Sequence, residues 1–398
     1  MKLRYIFRKP EFTKEAWTLN RPVKAISLLF FVYMIGWGIV DPILPVYVKR
    51  VTGNYFSAGL FVSALQFFSL FFSFVIAPII DRVKKKSLMS VALGLYTGVS
   101  PILLALTTIT QFVVFRIYHA AIATTLWVTG DAYVREHSPR HKEAQAIGLF
   151  DFGVGLAQVI GGLLAALLIP FLGFNIIYAV SCFSLLAFFQ SQTLPDKKKP
   201  ALLRCIGCLK ITKITQEYAD IRKNVRLARA VCWAFPFYFS VSLIPMALSL
   251  FIDYVGGSLP MIGMVAALFY APVLFESYFS ATKEKRGVST MGMVYAAMLF
   301  LLLFFAKDIS TIFVLALLIG IAFSAVHPIF SGRFTELMPR KEIGELSAFI
   351  YAMKAFAAAA APLIAGFIAD IWGIKYVFLL GFVLMGVMIP FNKKVFAG

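Results

Sequence analysis

The chain has 398 residues, 60% of them hydrophobic and only 14% charged, with a mean hydropathy of +0.84. That composition leaves too much apolar surface for a water-soluble domain, so lipid is the main solvent. The net charge of +19 would suit a nucleic-acid partner, yet all but six of the 38 Lys and Arg fall in the tails and alternate loops; this is positive-inside sorting, and anionic lipid headgroups account for the surplus.

In chain order, a basic tail over residues 1–24 precedes a full-length first apolar run with no short apolar core or small-residue cleavage site, so the first span is expected to be retained. Apolar runs near the roughly 20 residues needed to cross hydrocarbon follow at 25–46, 58–80, 88–107, 111–132, 146–170, 175–194, 230–251, 261–281, 288–306, 311–331, 346–370 and 375–391. The reading is an all-α integral membrane protein with twelve transmembrane helices in two pseudo-symmetric six-helix bundles, 25–194 and 230–391. The tails 1–24 and 392–398, the linker 195–229 and the even-numbered loops are expected on the cytoplasmic side of the cell membrane. Within the linker, Ile211, Ile214, Tyr218, Ile221, Val225 and Ala228 recur three and four apart, with basic residues elsewhere on the wheel. That spacing predicts an amphipathic helix lying on the inner leaflet. Cys205 and Cys208 form a C-x-x-C without further ligands nearby, so neither a metal nor another cofactor is expected.

The two halves repeat one another. Glu136, Pro139 and Arg140 fall on Glu336, Pro339 and Arg340 at an offset of 200. At an offset of 204, Val51, Gly53 and Gly59 fall on Val255, Gly257 and Gly263, while Gly153, Ala157, Gln158, Gly161 and Gly162 fall on Ala357, Ala361, Pro362, Ala365 and Gly366. A duplicated apolar unit of this size points to a secondary transporter, in which two bundles alternate the side to which a shared cleft opens.

Three motifs carry a resemblance. Span 2 ends in Asp81-Arg82, followed by Lys84, Lys85 and Lys86. Span 4 has Arg116 followed after three residues by Ala120, with His119 where glutamine is frequent. Span 5 has Gly153, Ala157, Gln158, Gly161 and Gly162, with Gln158 in place of a proline. These resemble the gating loop, the arginine pattern and the antiporter element of the major facilitator superfamily, and the first span's Gly36 to Pro45 run resembles its drug:proton antiporter branch. The resemblance implies that spans 1, 4, 7 and 10 line a central cavity and that spans 2, 5, 8 and 11 form the interface between bundles. It also implies that Asp81 latches one side shut with neighbouring cations and helix ends. For the small-residue face of span 5, tight helix packing explains the pattern as well as any transport role does.

Charges inside the membrane are costly and so are candidates for function. Asp41 and Arg116 lie at similar depth, and a buried carboxylate beside an arginine is a proton-exchange candidate or a static bridge. Asp151, Glu276 and Lys354 lie on interface spans, where an ion pair specific to one conformation is expected; Trp127 and His327 occupy equivalent positions. Tyr33 and Trp37 share a face with Asp41, and with Trp127, Tyr238 and His327 they are the expected substrate-cavity residues. No nucleotide loop or catalytic triad is visible, so an enzyme is not expected. The reading carried forward is a monomeric secondary transporter exporting small amphipathic compounds in exchange for protons. The alternatives are a facilitator or importer of a polar solute such as a sugar or organic ion, and a non-transporting sensor or scaffold.

Overall fold

The computed structural model describes residues 19–80, 83–138, 143–195, 225–276, 285–337 and 343–396. Asp81, Arg82, the C-x-x-C and most of the amphipathic linker lie outside the described residues. The described residues form helices and no strand. We label them α1 (Arg21–Thr52), α2 (Tyr55–Ile80), α3 (Lys85–Leu104), α4 (Ile109–His137), α5 (Glu143–Leu172), α6 (Tyr178–Ser191), α7 (Val225–Tyr254), α8 (Leu259–Phe275), α9 (Lys285–Phe305), α10 (Ile309–Leu337), α11 (Ile343–Ile371) and α12 (Lys375–Phe396). Each apolar run read from the sequence overlaps one of these helices within the described residues.

The duplication is visible in the packing. α1 packs on α5 and α6, α2 on α4, and α3 on α4 and α6; six helices later, α7 packs on α11 and α12, α8 on α10, and α9 on α10 and α12. One hydrophobic core draws only on residues between Leu19 and Leu194. A second has buried residues from Ala230 to Met388, with Val46 and Ala58 from the first half among them and Tyr55 and Val62 packed against them. The halves meet chiefly along α2 with α11 and α5 with α8, the four interface helices that the resemblance implied.

The end bearing residue 19 and residue 396 is called the near end, and the opposite end the far end. Far-end helix termini carry exposed Tyr178, Tyr254, Trp372 and Tyr376. Amphipathic rings at that level form the belt expected where a bilayer meets water. Large apolar side chains such as Phe67, Phe71, Leu167 and Phe305 are exposed along the flanks; lipid tails solvate them without penalty, and a helix satisfies most of its backbone groups within itself.

Candidate functional site

Helix α1 is broken at its centre. Regular helix stops at Val40, residues 41–43 form a turn, and helix resumes at Leu44 with Pro45 in its first turn. Proline supplies no amide hydrogen and clashes with the preceding turn, so Pro42 and Pro45 dictate the break. Asp41 sits at that break, and its carboxylate is exposed to a cavity of about 210 Å3. Both halves build this cavity: Asp41, Gln66 and Arg116 line it from the first, Ser242, Ser249 and Tyr270 from the second, between apolar walls. The symmetry persists locally, because Val62, Leu65 and Gln66 and their offset-204 counterparts Ala266, Phe269 and Tyr270 all line it. The contributing helices are α1, α2, α4, α7, α8 and α11; the described lining takes nothing from α10, which the resemblance had placed there.

Arg116 comes from the far-end third of α4 and is 2% exposed. Its Nε donates to the Phe61 carbonyl (3.0 Å), its Nη1 donates to His119 Nδ1 (2.7 Å), and the guanidinium lies 3.6 Å from the centre of the Phe61 ring. Asp41 therefore shares the cavity with Arg116 without forming an ion pair, and its carboxylate makes no hydrogen bond to any described residue.

The lining includes none of Tyr33, Trp37, Trp127, Tyr238 and His327. Tyr33 and Trp37 do share a face with Asp41, but rings from α3 and α4 close over it: Tyr96 lies 5.1 Å from Tyr33, and His119 stacks on Trp37 at 4.8 Å and 12°. Only Asp41, at the helix break, reaches open space. Trp127 packs on Phe30 and Phe150. Tyr238 is buried, with Lys354 Nζ 4.7 Å from its ring centre and His327 at its edge. His327 Nδ1 lies 3.4 Å from Glu276 Oε2. Asp151 is exposed and, among the described residues, forms no ion pair with Glu276 or Lys354.

The far end is shut, and the pseudo-symmetry shows how. Gly59 of α2 meets Gly366 of α11, and at the equivalent place Gly263 of α8 meets Gly162 of α5. A Cβ on Gly59 would stand 2.2 Å from the Pro362 carbonyl oxygen, and one on Gly263 2.6 Å from that of Gly162. Lys49 and Asp253, 204 residues apart and hence equivalent, bind each other at 2.9 Å, with Arg50 on the second carboxylate oxygen at 2.7 Å. Opposite charges at equivalent positions can meet only where the pseudo-twofold axis passes between them. Asp370 then accepts hydrogen bonds from the Tyr55 and Phe56 backbone amides at 2.8 and 2.7 Å, tying the start of α2 to the end of α11. Asp253, Asp370 and Phe61 were missed in the sequence reading; the repeat register marks Lys49 and Asp253 as equivalent positions, and only the fold brings them into contact.

The remaining motif residues stitch the first half to itself. Lys84 precedes α3, Lys85 forms a largely buried ion pair with Glu136 at the end of α4, and Lys86 donates to the Gln192 carbonyl beyond α6. In the α5 element, Gly161 presses on Gly38 of α1, Gly38 on Ala157 and Gln158, and Gly153 approaches Ser27, while Gly162 faces α8. Small residues thus let α5 serve both the bundle and the interface.

The model of the Major Facilitator Superfamily matches residues 26–274 and 230–396. The chain belongs to the major facilitator superfamily. It is 24% identical over 396 residues to the quinolone resistance protein NorA of Staphylococcus aureus (strain COL), covering 94% of this chain and 97% of that one. It is 28% identical over 222 residues to a probable sugar efflux transporter of Pasteurella multocida (strain Pm70), covering 54% and 52% of the two chains. The crystal structure of a mutant of the nucleoside transporter NupG superposes with a TM-score of 0.76 at 12% identity, over 95% of this chain and all of that one, and shows the shared fold. As a family member the protein is a multi-pass membrane transporter for small molecules and not an enzyme.

Proposed function

We propose that this transporter exports small amphipathic compounds in exchange for protons, with its near end in the cytoplasm of the cell and a single chain as the working unit. One observation carries the proposal: the carboxylate of Asp41 stands free at the wall of an apolar cavity built by both halves. A carboxylate so placed can hold a proton while the cavity faces one side and release it when the cavity faces the other. The apolar walls suit an amphipathic cargo. Similarity to NorA over nearly the whole chain supports export, and the concentration of Lys and Arg at the near end supports the orientation.

Flux in liposomes under an imposed pH gradient tests the proposal. Asp41→Asn keeps the shape and removes the titrating group, so uphill accumulation is expected to vanish while downhill exchange persists. Uphill accumulation at the wild-type level in that variant overturns the role of Asp41. A second reading, efflux of a polar solute such as a sugar, draws on Gln66, Ser242 and Ser249 in the lining and on the Pasteurella relative. Competition of radiolabelled sugar flux by lipophilic cations separates the two.

A further inference from the structure

The polar group nearest to Arg116 other than a backbone carbonyl is the His119 imidazole, one helical turn away, and every feature of its surroundings fixes the ring. It is 2% exposed. Trp37 of α1 lies against one face at 4.8 Å and 12°, Tyr96 of α3 meets it edge-on at 5.5 Å, and Phe115 packs at 5.7 Å. A guanidinium has donors only, so the 2.7 Å contact requires a lone pair on His119 Nδ1. The ring is therefore neutral and carries its proton on Nε2. With the Phe61 carbonyl on Nε and the Phe61 ring beneath, the acceptor on Nη1 completes a clamp that holds the guanidinium against α2 and the next turn of its own helix, leaving the Asp41 carboxylate unpaired; the second-half counterpart of Asp41, Pro245, carries no charge.

We propose that His119 is a positioning residue: by accepting from Arg116 it holds the guanidinium off Asp41 and keeps that carboxylate free for the cavity. The proposal rests on the coupling role of Asp41 argued above. The titratable groups around the ring are Arg116 on its own helix, Tyr96 from α3, Tyr33 of α1 behind Tyr96, and Asp41 on the cavity side of Arg116; α2 presents Phe61. A ring in this setting cannot gain a second proton without losing its bond to Arg116 and setting two cations side by side. Removing the acceptor has a different result. Nη1 then has an unmet donor in a low-dielectric site, and the nearest anion is Asp41. An ion-paired carboxylate binds a proton only at higher proton concentration.

The test compares gradient-driven flux against pH in liposomes for the wild type, His119→Gln and His119→Leu. Glutamine retains an acceptor on a side chain of suitable reach, so its profile should lie within about twofold of the wild type at every pH. Leucine removes the acceptor, and the pH of half-maximal flux should fall by about one unit, a tenfold rise in the proton concentration required. Two results overturn the proposal: a leucine profile that superposes on the wild type, or a glutamine profile shifted as far as leucine. A second measurement needs no leucine variant to fold. In 15N-histidine-labelled wild type, the signal lost in His119→Gln should report an unprotonated, hydrogen-bonded Nδ1 at neutral pH; a proton on Nδ1 overturns the clamp. Absence of pH-driven flux in the wild type would instead defeat the coupling reading of Asp41, and the nitrogen signal would still decide whether His119 tethers Arg116.

Discussion

The two halves share one packing scheme and differ in where they place charge. In the first half, ionisable groups stand at mid-depth: Asp41 on the cavity wall and Arg116 clamped by His119. The corresponding positions of the second half are Pro245 at offset 204 and Ala316 and Ile319 at offset 200, all without charge. In the second half the ionisable groups, Glu276, His327 and Lys354, lie closer to the near end, around the buried ring of Tyr238. Duplication supplied two equal scaffolds, and chemistry was then assigned to different levels of each. Since a charge in hydrocarbon costs at least about 2.5 kcal/mol unless it is paired or wet, these groups stand against the cavity or against polar and aromatic neighbours.

The far-end closure is where the halves behave as equals, and three experiments separate that equality from the chemical difference. The largest effect is expected from the glycine crossings. Gly59→Val puts a Cβ against the Pro362 carbonyl oxygen, and overpacking of that kind costs about 3 kcal/mol, enough to disfavour the far-end-closed state roughly a hundredfold. Transport should fall accordingly, and a cysteine placed at Ser249 should become reactive from the far side. Gly263→Val should match it because the crossing is repeated; a normal rate in one and not the other would break the equality.

A smaller effect is expected at the Lys49–Asp253 contact. Asp253→Asn removes two partly exposed ion pairs, each worth about 0.2 to 1 kcal/mol, so the ratio of closed to open should fall roughly two- to thirtyfold. Exchanging the pair, Lys49→Asp with Asp253→Lys, should restore most of it, since the two positions are equivalent about the axis. Cysteine accessibility at Ser249 reads both variants. A swap as defective as the single change would show that the contact is not on the axis.

The smallest effect distinguishes two helix starts. Helix α4 begins with Thr108 and Gln111 in a reciprocal capping box, whereas α10, at the equivalent place, begins with Asp308 accepting from the Thr311 amide and hydroxyl at 2.8 and 2.7 Å. Those bonds hold the Asp308 carboxyl below its ordinary range. A carboxyl lowered in the folded state adds stability at higher pH and loses it as the pH falls through its titration. Amide exchange at residues 309–312 should therefore rise below about pH 4, while residues 109–112, capped by groups that do not titrate there, should be unaffected. Equal acceleration at both helix starts would remove the difference.

Much of this was legible in the sequence. Apolar run length located each helix because spanning hydrocarbon demands it, the repeat register exposed the duplication, and the family resemblance implied which helices form the interface. Asp41 stood out as a candidate too, being an acid beside two prolines inside an apolar run. The aromatic lining was not legible. Tyr33 and Trp37 lie on the expected face of α1, yet whether a face meets cavity or core depends on what stands opposite, and Tyr96 and His119 come from runs whose periodicity says nothing about their partners.

Sequence by itself determined the membrane class, the duplication, the break in α1 and the depth of each buried charge, all of which follow from local composition and spacing. Tertiary structure alone decided that Arg116 turns to His119 and Phe61 instead of Asp41, that Lys85 joins Glu136 within one half, and that Lys49 meets Asp253 across both. Depth along a helix is a property of the chain, whereas the choice of partner at that depth depends on rotation and on the competition among donors and acceptors brought in by other helices. A guanidinium with a carbonyl, an imidazole and a carboxylate within its level of the bundle is settled only by where those three groups stand.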